Sequence, residues 1–129
     1  MSLVVGSVMR TDFLSLDAAM PIRHAAGLLH ANGQEAAPVL DDAGLLVGIL
    51  TQKDCFRPAV QASYYQQWRG TVGEQMSRPV KTIEADADIV SAAGMFLAEP
   101  HRSFPVLQSG QLVGMLRRED VLGRLLELG

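Results

Sequence analysis

Two carboxylates stand at the same place in a phrase that this chain contains twice. Asp54 closes the run LLVGILTQKD, and Asp120 closes the run QLVGMLRRED. Three residues before them lie Thr51 and Arg117, respectively. A strand-to-helix turn at this spacing can bring the Thr51 hydroxyl and the Asp54 carboxylate to one ligand. The same carboxylate can instead interact with the N-terminus of the helix that follows, so both interpretations are open.

Arg117 makes the two copies of the phrase inequivalent, because it stands where the first copy has Thr51. A guanidinium matches the geometry of a phosphate group, so Arg117 can act as a phosphate clamp. It can equally fill the space that a ligand would take. The residues alone leave both interpretations open, and Arg117 is a candidate ligand-binding residue.

Catalysis and metal binding have little support in the residues. Cys55 has no histidine near it in the sequence, and no G-x-S-x-G turn or phosphate-binding glycine loop occurs. His24, His30 and His101 lack the spacing of metal ligands. We therefore expect no catalytic residue, no metal site and no enzyme activity.

The composition is that of a globular chain. Of its 129 residues 48% are hydrophobic, and the formal net charge of −3 argues against a nucleic-acid partner. No apolar run approaches the roughly 20 residues that a membrane-spanning helix needs, and the start of the chain does not have the pattern of a signal peptide. A single cysteine fits a reducing compartment, so we expect a cytoplasmic protein.

The repeated phrase is part of a longer internal repeat. A shift of 67 residues places Val5 on Val72 and Met9 on Met76. After one deletion in a turn, a shift of 66 places Gly48 on Gly114. A repeat of this kind indicates one supersecondary unit used twice.

Each copy predicts the order β-α-β-β-α. Short apolar runs predict strands, and apolar residues at helical spacing predict helices. In the first copy we predict strands at residues 13–16, 37–40 and 45–50, and helices at residues 21–31 and from residue 53 onward. In the second copy we predict strands at residues 80–83, 104–107 and 112–116, and helices at residues 88–98 and 118–128. Pro21 suits a first helical position.

These elements predict an α/β (α+β) fold of two repeats packed sheet against sheet, with pseudo-twofold symmetry, because neither copy is large enough for a good core of its own. We assign residues 1–58 to the first repeat, 59–71 to a linker and 72–129 to the second repeat. Pro58 should break or kink the helix that begins at Lys53. Tyr64, Tyr65 and Trp68 either pin a linker helix to the core or form a surface for a partner or ligand.

The repeated phrase and the strand before it resemble the cystathionine-β-synthase (CBS) domain. Residues 48–54, GILTQKD, match that family's glycine, two hydrophobic residues, threonine and aspartate, and a Pro-Val pair precedes the phrase in both copies. Two copies in tandem are similar to a stand-alone CBS pair, or Bateman module. The resemblance implies a regulatory module that senses an adenosine-containing ligand (AMP, ADP, ATP, S-adenosylmethionine or NAD) in clefts between the repeats.

The resemblance also implies the ligand-binding residues. A carboxylate can accept hydrogen bonds from both hydroxyls of a ribose, which is the role implied for Asp54 and Asp120. Thr51 would bond the ribose or a phosphate, and the basic Arg102 would contact phosphate. Backbone groups at the start of the first strand in each copy, and of the residues before Pro38 and Pro105, would hold the edge of the adenine. These backbone positions are Asp12, Phe13, Ala36, Ala37, Pro79, Val80, Ser103 and Phe104.

A structural dimerisation or interaction module with empty clefts is the alternative. Apolar residues on the helices exceed what one small core is expected to cover, so we expect a homodimer, as the resemblance also implies. These residues are Leu28, Leu29, Leu122, Leu125 and Leu126. The expected partners are a small adenosyl ligand and an unidentified regulated protein, with no nucleic acid and no membrane. No cofactor is expected to be required, and AMP, ATP or S-adenosylmethionine would serve as a regulatory ligand.

Overall fold

The computed structural model describes residues 3–129. Within this range the chain divides into two compact units. The first-repeat unit contains Leu14–Val80, and the second-repeat unit contains residues 3–13 together with Lys81–Gly129. The opening segment of each sequence repeat therefore belongs to the unit of the other repeat. The boundaries at residues 58 and 72 describe the sequence repeats and stay a prediction.

The first-repeat unit is built on a three-stranded sheet. Its elements are β1 (Leu16–Asp17), α1 (Ile22–Ala31), β2 (Ala36–Leu40), β3 (Leu46–Thr51), α2 (Phe56–Tyr65) and α3 (Val72–Gln75). Strand β2 lies in the middle, parallel to β1 and antiparallel to β3. A 3-10 turn at Lys53–Cys55 connects β3 to α2.

The second-repeat unit has the same sheet. It contains a 3-10 turn at Val5–Ser7, followed by β4 (Ile83–Glu84), α4 (Ile89–Ala98), β5 (Ser103–Gln108), β6 (Gln111–Arg117) and α5 (Arg118–Leu128). Strand β5 is parallel to β4 and antiparallel to β6. The predicted fold class, strands and helices mixed in two similar copies, is confirmed.

The first strand of each copy is shorter and later than predicted. Only Leu16 and Asp17 pair with β2, and only Ile83 and Glu84 pair with β5. The parallel pairing decides these bounds, and an apolar run alone does not reveal it. Pro21 is also placed differently, since it precedes α1 as its N-cap with an extended ψ of 139°. Its backbone bridge to Thr71 explains that conformation.

Helix α2 contains Pro58 without a break, so the predicted interruption is wrong. Pro58 is the third residue of the helix, where a backbone N–H has no partner within the helix. The helix ends at Tyr65, before Gln66 with its φ of 56°. Trp68 packs against the core of the first-repeat unit, whereas the side chains of Tyr64 and Tyr65 are 80% and 74% exposed. Of the three aromatic side chains, that of Trp68 therefore holds the linker against the core.

Each opening segment adds backbone to the sheet of its unit. Arg10 exchanges two hydrogen bonds with Met115 of β6, both at 2.9 Å. At the repeat-equivalent position Ser77 exchanges two with Ile49 of β3, at 3.1 and 2.8 Å. The opening segments thus run beside the strand that leads to each repeated aspartate.

Each unit has its own cluster of buried apolar side chains. The first-repeat cluster includes Leu29 and Val72, and the second-repeat cluster includes Val5. Leu28 and Leu125 are partly buried against these clusters. Leu28, Leu29 and Leu125 were predicted to exceed what the core covers. That prediction is wrong, because these side chains pack against the cluster of their own unit.

Candidate functional site

Asp54 is the middle residue of the 3-10 turn Lys53–Cys55, which follows β3. Its Oδ2 accepts a hydrogen bond from the Thr51 N–H at 3.0 Å. In return, the Asp54 N–H donates to Thr51 Oγ1 at 3.1 Å. This reciprocal pair stabilises the turn as side-chain caps do, and it holds the carboxylate and the hydroxyl side by side, as the spacing predicted.

Ser77 is the third member of this group. Its hydroxyl donates to Asp54 Oδ1 at 3.3 Å and to Oδ2 at 3.2 Å. An ionised carboxylate has about four acceptor positions, and one N–H and one shared hydroxyl do not fill them. Asp54 is only partly buried, so it can accept a further hydroxyl from a ligand.

Cys55 follows Asp54 and packs into the first-repeat core. Its Sγ donates to the carbonyl of Thr51 at 3.5 Å. Burial, with the nearby charge of Asp54, raises the pKa of this thiol above its ordinary value. A raised pKa lowers the fraction of reactive thiolate, so Cys55 is placed for packing.

Asp120 has a different neighbour. It lies in the first turn of α5. Arg10 donates a hydrogen bond to each of its oxygens, with Nε 2.9 Å from Oδ2 and Nη2 3.1 Å from Oδ1. The hydrogen bonds and charge of Arg10, helped by the charge of Arg117, hold the pKa of Asp120 below its ordinary value, although burial acts the other way. The carboxylate therefore stays ionised and paired.

Arg117 and Arg102 lie in the same unit as Asp120. Arg117 ends β6 opposite Ser103, and its Nη1 is 3.7 Å from Oε1 of Glu119. Arg102 is exposed, and its carbonyl accepts the N–H of Arg118 at the start of α5, at 2.9 Å. The guanidinium groups of Arg10 and Arg117 therefore act on Asp120. In the first-repeat unit the positions equivalent to these two arginines are Ser77 and Thr51.

The backbone candidates are regrouped by the fold. Asp12 and Phe13 fall in the second-repeat unit with Ser103 and Phe104, while Pro79 and Val80 fall in the first-repeat unit with Ala36 and Ala37. Ala37 and Phe104 are fully buried, whereas their neighbours Ala36 and Ser103 are only partly buried. The first-repeat unit therefore carries Ala36, Ala37, Thr51, Asp54, Pro79 and Val80, and the second-repeat unit carries Asp12, Phe13, Arg102, Ser103, Phe104, Arg117 and Asp120.

Sequence reasoning missed Arg10 and Ser77, the two residues that touch the aspartates from a distance in the chain. A signal was present, since both directly follow the methionine that recurs as Met9 and Met76. The repeat shift alone would have placed Arg10 and Ser77 at equivalent positions.

Two cavities of the first-repeat unit lie beside Trp68. One of about 380 Å³ is lined by Pro21, Arg23 and Gln66, among others. The other, of about 170 Å³, lies near His30 and Phe56. None of the residues predicted to bind ligand lines either cavity.

Within residues 3–129, no three metal-ligating side chains come together. Among the helices of the same residues, none has the length and apolar character needed to cross a membrane.

Comparison with known proteins identifies the family. The model of the CBS domain matches residues 5–59 and 70–127. A CBS domain-containing protein of Dictyostelium discoideum is 28% identical, with 99% of this chain and 94% of that protein covered.

Solved structures agree with this match. CBSX2 of Arabidopsis thaliana has a TM-score of 0.85 at 24% identity, with 99% of this chain and 97% of that chain covered. A structure of CBSX2 in complex with AMP has a TM-score of 0.83 at 24% identity, with 97% of each chain covered. The CBS domain pair of protein MJ0100, in complex with 5′-methylthioadenosine and S-adenosylmethionine, has a TM-score of 0.81 at 24% identity, with 98% of each chain covered. The chain therefore belongs to the CBS domain family and contains two CBS repeats.

Proposed function

We propose that this chain is a regulatory module that binds an adenosine-containing ligand. The observation that carries the proposal is the Asp54 carboxylate, which already accepts a hydroxyl hydrogen bond from Ser77 and has acceptor positions left. Two similar structures support it, since CBSX2 was solved with AMP and the MJ0100 pair with 5′-methylthioadenosine and S-adenosylmethionine. These ligands share an adenine and a ribose with vicinal hydroxyls.

In the proposed complex Asp54 accepts the ribose hydroxyls and Thr51 holds Asp54 in place. Ala36 and Ala37 would hold the adenine edge through their backbone. Strand β1 pairs with β2 only at Val39 and Leu40, and Ala36 is the more exposed of the two residues. Pro79 and Val80 belong to the same unit and complete this group.

In the second-repeat unit Asp120 stands at the equivalent position, and a ribose would have to displace Arg10, which bonds both of its oxygens. The adenine edge would meet the backbone of Asp12, Phe13, Ser103 and Phe104, and the phosphate would meet Arg102 and Arg117. The positive charge of these two arginines supports a phosphate-bearing ligand.

Thermal unfolding with a ligand panel tests the proposal. The panel contains adenosine, AMP, ATP, S-adenosylmethionine and NAD, with GMP as the control for the base. A ligand at a hundred times its Kd adds about 2.7 kcal/mol to the free energy of unfolding, which raises Tm. A melting temperature that none of the adenosine compounds changes would contradict the proposal.

An interaction module that forms a homodimer is the second candidate function. Helices α2 and α5 carry exposed apolar side chains at repeat-equivalent positions: Phe56 and Val60 are 65% and 52% exposed, and Leu122 and Leu126 are 58% and 73% exposed. Exposed apolar patches mark interaction sites. Each pair is spaced four residues apart and so lies along one helix face.

Light scattering at micromolar concentration tests the homodimer. We expect the mass of two chains for the wild type and of one chain for Val60→Glu with Leu126→Glu. Leu97→Glu is the matched control, because Leu97 is exposed on α4 instead. A wild-type mass of one chain would refute the dimer.

A further inference from the structure

Arg10 and Ser77 occupy the same position of the repeat, and each contacts the aspartate of its unit. Their backbones are bridged to repeat-equivalent residues, Met115 and Ile49. The two side chains therefore start from equivalent places beside equivalent carboxylates. What differs between the two sites is the type of residue that reaches the aspartate.

The residue type decides how much of each carboxylate is left for a ligand. Ser77 has one hydroxyl proton, which it shares between the two oxygens of Asp54 at 3.3 and 3.2 Å. Arg10 gives a separate N–H to each oxygen of Asp120, at 2.9 and 3.1 Å. A two-point, charge-assisted pair is stronger than a neutral hydroxyl bond. The hydroxyls of a ribose can thus displace Ser77 far more readily than Arg10.

We propose that Arg10 closes the second-repeat carboxylate to ribose, so that the chain binds one adenosine ligand, through Asp54. This inference rests on the proposed function and adds which of the two aspartates serves it. The repeat thus keeps two similar sites but uses one.

Calorimetric titration with AMP measures the number of sites directly. We expect one AMP per chain for the wild type and two for Arg10→Ser. This substitution gives the second-repeat unit the residue that Ser77 provides in the first-repeat unit. Arg10→Gln is a second variant that also removes the two-point charged pair and should likewise give two. Adding Asp120→Asn to Arg10→Ser should return the number to one.

The reciprocal change is the matched control. Ser77→Arg copies the closing residue into the first-repeat unit and should abolish AMP binding, whereas Asp120→Asn alone should leave one AMP bound. Arg102→Ala should weaken AMP but not adenosine at the site that Arg10→Ser opens, and should change neither in the wild type.

Four outcomes would overturn the inference. Two AMP per wild-type chain would show that Arg10 does not close the site, and loss of AMP in Arg10→Ser would show that Arg10 holds the ligand. One AMP in the wild type and in both Arg10 variants would refute the closure alone. If neither the wild type nor Arg10→Ser binds AMP or adenosine, the proposed function and the closure fail together.

Discussion

At the end of β3 the side chains of Thr51 and Asp54 bond each other's backbone N–H, at 3.1 and 3.0 Å. The two interpretations of Asp54, a cap and a ligand acceptor, are therefore compatible. One oxygen caps the turn, and the carboxylate keeps positions for the hydroxyl of Ser77 or of a ligand. A substitution of Asp54 must consequently affect stability as well as binding.

Asp54→Ala should lower the free energy of unfolding of the ligand-free protein by about 1 kcal/mol, as for a lost helix cap, because the Thr51 N–H loses its acceptor. Asp54→Asn keeps a side-chain oxygen and should cost less. Both should reduce the nucleotide-induced rise in Tm. Urea unfolding of the two variants without ligand checks the order, and equal midpoints for Asp54→Ala and the wild type would contradict it.

The Arg10–Asp120 pair predicts an acid-sensitive contribution to stability. The pKa of Asp120 is lower in the folded protein than its ordinary value. The contribution is therefore fully present above the unfolded pKa of about 3.9 and is lost as pH falls through the lower folded pKa. Because Arg10 is largely exposed, solvent makes the contribution small.

Urea unfolding between pH 2 and 6 measures this contribution. Asp120→Asn should make the free energy of unfolding fall less steeply at acid pH than it does in the wild type. Asp42→Asn, on an exposed turn, is the control. Identical acid limbs for the wild type and Asp120→Asn would show that the pair contributes nothing.

The local contacts of the candidate site were predictable, and the distant ones were not. The Thr51–Asp54 contact spans three residues, so spacing alone indicated it. The Ser77–Asp54 and Arg10–Asp120 contacts span 23 and 110 residues. No local pattern encodes which sheet an opening segment joins, so these contacts required the fold.

At the scale of elements, the glycine of the repeated Leu-Val-Gly allows an opening segment to pack closely against its strand. A Cβ added at Gly48 would overlap the Met76 side chain, with Cγ at 2.8 Å, and one at Gly114 would lie 2.9 Å from Cγ of Met9. The glycine of β3 or β6 therefore makes room for the methionine of the opening segment. The repeat in the sequence shows that the glycine and the methionine each recur, but it does not show that they contact each other.

Gly48→Ala and Gly114→Ala should each lower the free energy of unfolding by about 1–3 kcal/mol, the usual cost of overpacking. The methionine must shift, and the bridge to β3 or β6 shifts with it. Gly27→Ala is the control, since nothing lies within 4 Å of its added Cβ in α1, and alanine favours a helix. Denaturant unfolding should show a lower free energy of unfolding for Gly48→Ala and Gly114→Ala and a slightly higher one for Gly27→Ala.

At the scale of the whole molecule, the compact units are not the sequence repeats. The strands and helices follow from periodicity, which is local. The exchange of opening segments is a tertiary property, so the repeat pattern alone did not indicate it. Val72, which begins the second sequence repeat, is fully buried in the first-repeat cluster, and the Gly73 N–H bonds the carbonyl of Ala18 at 2.9 Å.

This exchange predicts which fragment of the chain can fold. Residues 14–80 include Val72, Gly73 and Met76 and should unfold cooperatively, although a domain of this size is marginal in stability. Residues 1–71 contain the whole first repeat but lack the segment that completes its core, so they should show no cooperative transition. Circular dichroism during urea unfolding compares the two fragments. Val72→Ala in the fragment of residues 14–80 is the packing control. Cooperative unfolding of residues 1–71 at the same midpoint as residues 14–80 would show that the opening segment is dispensable for the core.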